Sequence, residues 1–461
     1  MTATETLAAF VCETRLEDIP ADVKDTARYC ILDAAGCALG GIDTPIGRSV
    51  IDTFGSKTDL TATMIGSGYR GSPWDAAFVN ATLVNALDYD DGNGAGHPSA
   101  TVFPAALASA EEVRASGGQL LLSFVLGHEV STRVGRAIRP SRARRQVAWG
   151  IGTHQTFGAA AAAGRMMGLS KLDLMNAFGI AGAGSPVPSA AHWGWGVRPL
   201  TWVKDAVAWP AHAGVVSARL ARKSFAGCKD ILDGDTGFWA MAGSDQCDFG
   251  KMVGGIGTTF YLREATFKPY SSCRYTHAPL DALQLILDEN AIEADAIEAI
   301  EIRSITDLAE NFMDYRPVEM VDAQFSLPYA AAMVVARHLP GPDWFTSENL
   351  NSDATRRSMD KVRIFADTYA DDQFFNSSPA KFVASVTVKL VTGKSFEKMV
   401  EYPRGQPENP LSRAFLERKF KDLAAPRLGL ARAEQLMSRI LTIDDEASID
   451  PIAGLMTAAG N

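Results

Sequence analysis

The 461-residue sequence has six cysteines, and no two of them form a CxxC pair. Cys12, Cys30, Cys37, Cys228, Cys247 and Cys273 are too scattered for a disulfide framework or a thiolate metal site, so a reduced, cytoplasmic setting is expected. No run approaches the roughly 18 apolar residues that cross a bilayer, and no membrane helix is expected. The opening Met1-Thr-Ala-Thr-Glu-Thr-Leu7 lacks the basic and apolar regions of a secretion signal. Basic residues are in deficit: Lys and Arg number 44 against 54 Asp and Glu, a net charge of -10. That argues against nucleic acid or an anionic membrane as partner, while leaving the sign of any local pocket open.

Several chemical motifs are also missing. There is no GxxxxGK[ST] phosphate loop, and Gly92-Gly94-Gly96 lies between helical patterns rather than after a strand, which excludes a dinucleotide turn. His128-Glu129 has Thr132 where HExxH needs its second histidine. Asp88-x-Asp90 has Ser99 where an EF-hand needs its twelfth-position glutamate. No metal and no cofactor is expected.

What the chain does have is apolar surface to bury: 47% of residues are hydrophobic and 21% charged, at a length that calls for two or three domains. Residues 4 to 40 read as two helices split at Ile19-Pro20, with Gly36, Gly40 and Gly41 marking where the second gives way to a turn. Further helices are expected at 74 to 87, 105 to 115 and 119 to 139. The small-residue run Phe157-Gly-Ala-Ala-Ala-Ala-Ala-Gly164 suits a buried central helix, because thin helices let their neighbours approach. Residues 181 to 199, rich in Gly, Pro and Trp, read as an irregular wall, and Lys204 as the start of a helix running to Leu220.

Beyond Phe267 the period changes to that of strands. Alternation at 296 to 305, 362 to 366 and 384 to 391, and a hairpin through Thr392-Gly393-Lys394 into 396 to 402, indicate an α+β domain. The division expected is a helical domain over 1–267, an α+β domain over 268–403, and helices over 404–461 that pack back onto the first.

Six arginines lie between 133 and 145, and Arg133, Arg136 and Arg139 share a helix face. Such a face can bind an anion, but is more often surface or subunit contact. The stretch from Asn85 to Pro104 reads as neither helix nor strand. It gathers Asp88, Asp90 and Asp91 with alternating glycines and His97-Pro98, and glycine lets a backbone fold back tightly enough to bring carboxylates and an imidazole to one point. Three other places carry groups able to move protons: Lys204, the run Lys268-Pro-Tyr-Ser-Ser-Cys-Arg-Tyr-Thr-His277, and Gln324-Phe-Ser-Leu-Pro-Tyr329.

Asn85-Ala-Leu-Asp-Tyr-Asp-Asp91 followed by His97-Pro-Ser-Ala-Thr-Val-Phe-Pro-Ala-Ala-Leu107 resembles the signature of the MmgE/PrpD family, which includes 2-methylcitrate dehydratases, cis-aconitate decarboxylases and iminodisuccinate epimerases. The resemblance continues at Ile31 to Gly41, Phe157 to Leu169, Phe225 to Gly227, Lys268 to Tyr270, Thr276-His277, Phe325-Ser326 with Tyr329, and Glu417 to Phe420. It implies a mainly α protein: a large all-helical domain, a smaller α+β lid, a cofactor-free site between them, and a homodimer. Asp88 and His97 match the family's loop motifs. Lys204, Lys268 and Tyr329 fall at positions used around substrate, and His277 matches a family histidine. The chain departs from the family pattern at Gly92, where the decarboxylases carry threonine in a longer loop, and at Ala148-Trp149-Gly150, where a histidine is usual. His154 is the candidate to replace that histidine.

The resemblance implies a lyase, a dehydratase or decarboxylase acting on a small polycarboxylate by proton transfer beside a carboxylate. His97 is the expected acid/base, positioned by Asp88 or Asp91, with Asp90 structural. Lys204 and Lys268, with His277 and His154, are expected to bind substrate, and Tyr329 to assist proton transfer. An epimerase of an iminodisuccinate-like dicarboxylate, and a non-catalytic metabolite-binding protein, are the alternatives.

Overall fold

A computed structural model describes residues 1–56, 61–148, 150–188, 192 and 197–457. Trp149 and most of the expected wall between 189 and 196 lie outside the described residues. Among the described residues no helix is long and apolar enough to cross a membrane.

The helical domain is organised around the expected small-residue helix, Gln155–Met166, whose Ala159 to Ala163 are wholly buried. It packs against Gly117–Ala137, Ala208–Arg222, Pro98–Val113 and Lys171–Gly184. The contact with Gly117–Ala137 is backbone to backbone: a Cβ on Gly158 would lie 2.6 Å from the Gly127 carbonyl oxygen, and one on Gly127 2.7 Å from that of Gly158. Two two-residue strands, Ala62–Thr63 and Arg70–Gly71, are the only sheet in this part among the described residues.

Three expectations about helix limits are corrected. The second helix, Ala21–Gly41, runs through Gly36 and Gly40 rather than ending there. Those positions are small because Phe420 and Leu423 of the Arg413–Leu428 helix press on them. The Pro98–Val113 helix begins inside the stretch read as loop. Proline at the first helical position has its φ already set, and its missing N–H is not needed there. Lys204 does not start a helix: it sits in a turn, its N–H donating to the Thr201 carbonyl, and the helix begins at Ala208.

The α+β part holds a four-stranded sheet. Ile297–Ser304 runs parallel to Val362–Ala366 on one side and antiparallel to Ala384–Leu390 on the other, and Ser395–Val400 completes the expected hairpin. Ile300 pairs with Val362 and Val388, and Ile302 with Ile364 and Val386. This puts the apolar side chains on one face, against which the His277–Asn290 helix packs. The Arg413–Leu428 helix returns to lie along Ala21–Gly41.

Two ties place the parts around the loop. Gly92 and Thr266 exchange both backbone hydrogen bonds, at 2.9 and 2.7 Å, which fixes the loop two residues before Lys268. The Gln324 side chain donates to the Ala86 carbonyl at 2.8 Å, and its own backbone carbonyl accepts from the Cys273 N–H. The arginine run supplies more ties. Arg133 is fully buried on Glu129 and the carbonyls of Gly254 and Thr259, Arg136 pairs with Glu264, and Arg145 donates to the Tyr275 hydroxyl. Arg133, Arg136 and Arg145 act as braces, whereas Arg139, Arg142 and Arg144 are exposed.

Candidate active site

The loop and the residues it meets form a compact cluster of charges. Ligand atoms of Asp88, Asp90 and His97 all lie within 4.8 Å of one another. Asp88 adopts a left-handed backbone (φ 47°), and so does Ala206 (φ 51°), close to Lys204. Such conformations cost non-glycine residues of order 1–3 kcal/mol and tend to persist where function needs them. At Ala206 the constraint is visible: a Cβ on Gly152 would lie 2.8 Å from the carbonyl oxygens of both Asp205 and Ala206.

Asp88 is the electrostatic centre. Lys268 donates to its Oδ1 at 2.6 Å and to its backbone carbonyl at 2.9 Å, and the Lys204 ammonium lies 3.8 Å from the same Oδ1. Burial opposes the charge, yet the two ammoniums hold this carboxyl well below the usual range. Its Oδ2 is buried without a hydrogen-bond partner among the described residues, an open acceptor at the middle of the cluster.

His97 takes a different partner from the one expected. Its Nδ1 is 2.8 Å from Asp90 Oδ2, and neither Asp88 nor Asp91 positions the ring. Asp90, read from sequence as structural, is the orienting group, and Asn85 donates to its other oxygen at 3.1 Å. Burial disfavours the imidazolium, but Asp90 outweighs it and the His97 pKa is raised; that of Asp90 is correspondingly lowered despite burial. The side chain of His97 keeps 12% of its surface exposed while that of Asp90 has none. With Nδ1 engaged, Nε2 is the nitrogen free to exchange a proton.

Asp91 points away from this cluster, which corrects its expected catalytic placement. Ser99 donates to it at 2.7 Å, the Cys30 thiol lies against it, and burial together with Asp33 pushes its pKa well above the usual carboxylate range. Behind the loop, Lys419 pairs with Asp33 at 2.6 Å, donates to the carbonyls of Tyr89 and Lys268, and sits 3.9 Å from the centroid of the Tyr89 ring. Asp33 in turn accepts the Asp91 N–H at 2.9 Å. Sequence reasoning missed both members of this pair, although each lies in a stretch that carries the family resemblance.

The remaining candidates are less free than expected. Lys204 is paired with the adjacent Asp205, and its ammonium lies 4.9 Å from the Phe325 ring centroid. Both ring nitrogens of His277 are used: Arg274 donates to Nδ1 at 3.1 Å and Nε2 donates to the Ser272 carbonyl at 3.0 Å, and burial holds the ring neutral. His154 donates from Nε2 to the Ala95 carbonyl at 2.7 Å, with its pKa pushed down to about 4 by burial, so it braces the loop from below. The Tyr329 hydroxyl donates to the Trp344 carbonyl, and its ring stacks on Phe345. In this arrangement the hydrogen bonds given for His277, His154 and Tyr329 go to other groups than Asp88, Asp90 and His97.

Asp88, Asp90 and His97 form a geometry that a divalent ion could occupy. The donor set does not suit one, because the ammonium groups of Lys268 and Lys204, 2.6 and 3.8 Å from Asp88 Oδ1, already put two positive charges beside that position. What the cluster can do is exchange a proton at His97 Nε2 beside fixed cations.

The sequence comparisons bear on the family. Residues 5–249 match the MmgE/PrpD N-terminal domain and residues 270–443 the MmgE/PrpD C-terminal domain. A cis-aconitate decarboxylase-like protein, oryM, of Aspergillus oryzae is 25% identical over 98% of this chain and 97% of its own. The Homo sapiens cis-aconitate decarboxylase is 26% identical over 96% and 92%. A probable 2-methylcitrate dehydratase of Saccharomyces cerevisiae is 35% identical over 20% of this chain and 19% of its own.

Proposed function

The chain belongs to the MmgE/PrpD family, and on that footing we propose that it is a cofactor-independent lyase acting on a small polycarboxylate, with His97 as acid/base. The observation that carries the reading is His97 itself. It is fixed by Asp90 through Nδ1, partly open, and within 4.8 Å of a carboxylate held by two lysines. The relatives named as decarboxylases and a dehydratase support the lyase class.

In the proposed reaction, neutral His97 takes a proton from the carbon next to a substrate carboxylate, or returns one to it. The electron pair left on carbon spreads into that carboxylate, and ammonium protons of Lys204 and Lys268 stabilise the oxygen charge as it develops. Loss of hydroxide with a proton completes a dehydration, and loss of carbon dioxide before protonation completes a decarboxylation. Return of the proton to the opposite face would be epimerisation. We carry a homodimer in the cytoplasm with this reading. Trp209, 52% exposed with its ring 4.8 Å from that of Phe78, offers an apolar face for it, and light scattering tests it.

The test is incubation with citrate-like, aconitate-like and aspartate-derived acids in deuterated water. Turnover with deuterium at carbon is expected, and its loss by about 10²–10⁴ in folded His97→Asn. Full activity in that variant would overturn the role of His97. Binding without exchange would indicate a metabolite-binding protein.

A further inference from the structure

The ammonium groups of the cluster are already paired before any substrate enters. Lys268 sits on Asp88 and Lys204 on Asp205, while a third carboxylate, Asp90, holds His97. The next cation outward, Arg198, is itself 3.9 Å from Asp314. Behind the loop, Lys419 is taken by Asp33. A buried anion needs an opposite charge nearby to offset its desolvation, and each of these cations already has a protein partner.

Asp205 is the member of this balance that nothing else requires. Asp88 bridges both lysines and Asp90 orients His97, whereas the hydrogen bond and ion pair given for the side chain of Asp205 both go to Lys204, and its charge also acts on His97. Lys204 is confined on its other sides by Asp88 and by the Phe325 ring, and its side chain is 3% exposed. The pressed turn at Gly152 and the left-handed Ala206 fix the backbone that presents Asp205.

We propose that Asp205 is a specificity-determining residue that limits how many carboxylates the substrate carries: by neutralising Lys204 it selects a dicarboxylate over a tricarboxylate. The inference rests on the reading of the site as one for small polycarboxylates and narrows it. A first substrate carboxylate shares the protons of Lys268 and Lys204, and a second meets the mouth of the site near His97. A third lies close to Asp205, where like charge repels it.

The test uses two acids on the same three-carbon chain, glutarate and tricarballylate, titrated calorimetrically into the full-length protein at neutral pH and low salt. Wild type is expected to bind glutarate more tightly than tricarballylate, by about tenfold or more. A unit charge about 4 Å away at an effective dielectric near 20 sets an upper scale of about a thousandfold, so a tenfold preference is a conservative threshold. Asp205→Asn is expected to shift the ratio toward tricarballylate by about the same factor, with the shift shrinking as salt is added. A wild type that prefers tricarballylate overturns the proposal without any variant, so a variant that fails to fold does not protect it. A ratio unchanged in folded Asp205→Asn or Asp205→Ser also overturns it. If neither acid binds wild type, the polycarboxylate reading of the site fails as well, an outcome distinct from binding with the wrong preference.

Discussion

Asp90 Oδ2 lies 2.8 Å from His97 Nδ1, and that single contact decides which nitrogen of the ring faces the site and how readily it is protonated. A carboxylate on Nδ1 fixes both the tautomer and the orientation of an imidazole, leaving Nε2 to act. The neighbouring acids of the same loop do other things: Asp88 is claimed by the lysines, and Asp91 takes the Ser99 hydroxyl, its pKa raised by burial and Asp33.

Replacing Asp90 by Asn removes the anion that stabilises the imidazolium. The His97 pKa, raised in the folded protein, then falls. Where neutral His97 is the base, the acidic limb of the kcat profile moves to lower pH, and kcat drops at least about tenfold with KM less affected. The linkage has a sign too. The stability that His97 draws from Asp90 is fully present below its unfolded pKa, near 6.5, and is lost as pH rises through the higher folded value. The stability gap between wild type and Asp90→Asn should therefore narrow on the alkaline side. A pH–rate profile unmoved by the substitution would contradict the assignment.

Lys268→Met leaves the buried Asp88 carboxylate with only the more distant Lys204 ammonium. Breaking a buried pair from one side costs about 3–5 kcal/mol. The double variant with Asp88→Asn should lose less than the sum of the two single losses, because the stranded charge is gone. Denaturant unfolding of all four proteins measures the coupling, and strict additivity would mean that Lys268 and Asp88 are not energetically paired.

Lys419 is placed to hold the rear of the loop through Asp33 and the carbonyls of Tyr89 and Lys268. Lys419→Met should destabilise by a similar amount, about 3–5 kcal/mol, and should raise hydrogen exchange in residues 88–97 above that in the four-stranded sheet. Uniform loss of protection throughout the chain would argue against a local role.

Tyr329→Phe removes a hydroxyl whose proton goes to the Trp344 carbonyl. The expected cost is about 1 kcal/mol of stability, with turnover within about twofold of wild type. Turnover slowed by about two orders of magnitude at unchanged stability, the scale of a lost acid/base, would restore Tyr329 to the chemistry. It would also require the lid to rearrange around substrate.

Much of this fold could be read from periodicity. The strand Val362–Ala366 and the hairpin after Ala384 have the expected limits within two residues, because alternation reports directly on one buried sheet face. The Gln155–Met166 helix is central because its side chains are small. The basic face at 133 to 139 was visible in sequence but its fate was not. Arg133 is buried because, besides Glu129 one turn before it, the carbonyls of Gly254 and Thr259 meet it, and no local pattern encodes those distant partners.

The same division runs through the site. The sequence by itself determined that an acid-rich, glycine-rich loop ends on His97, and that its motifs are those of one family. Only the tertiary structure decided which acid serves which group. Hydrogen bonding and ion pairing act over about 3 Å, and three aspartates within four residues differ at that scale by where their side chains point, which is set by elements distant in the chain. Lys268 arrives from beyond residue 260 to take Asp88, Lys419 from the C-terminal helices to take Asp33, and the turn before Ala208 brings Lys204 with Asp205 already attached. Asp90 is left for His97.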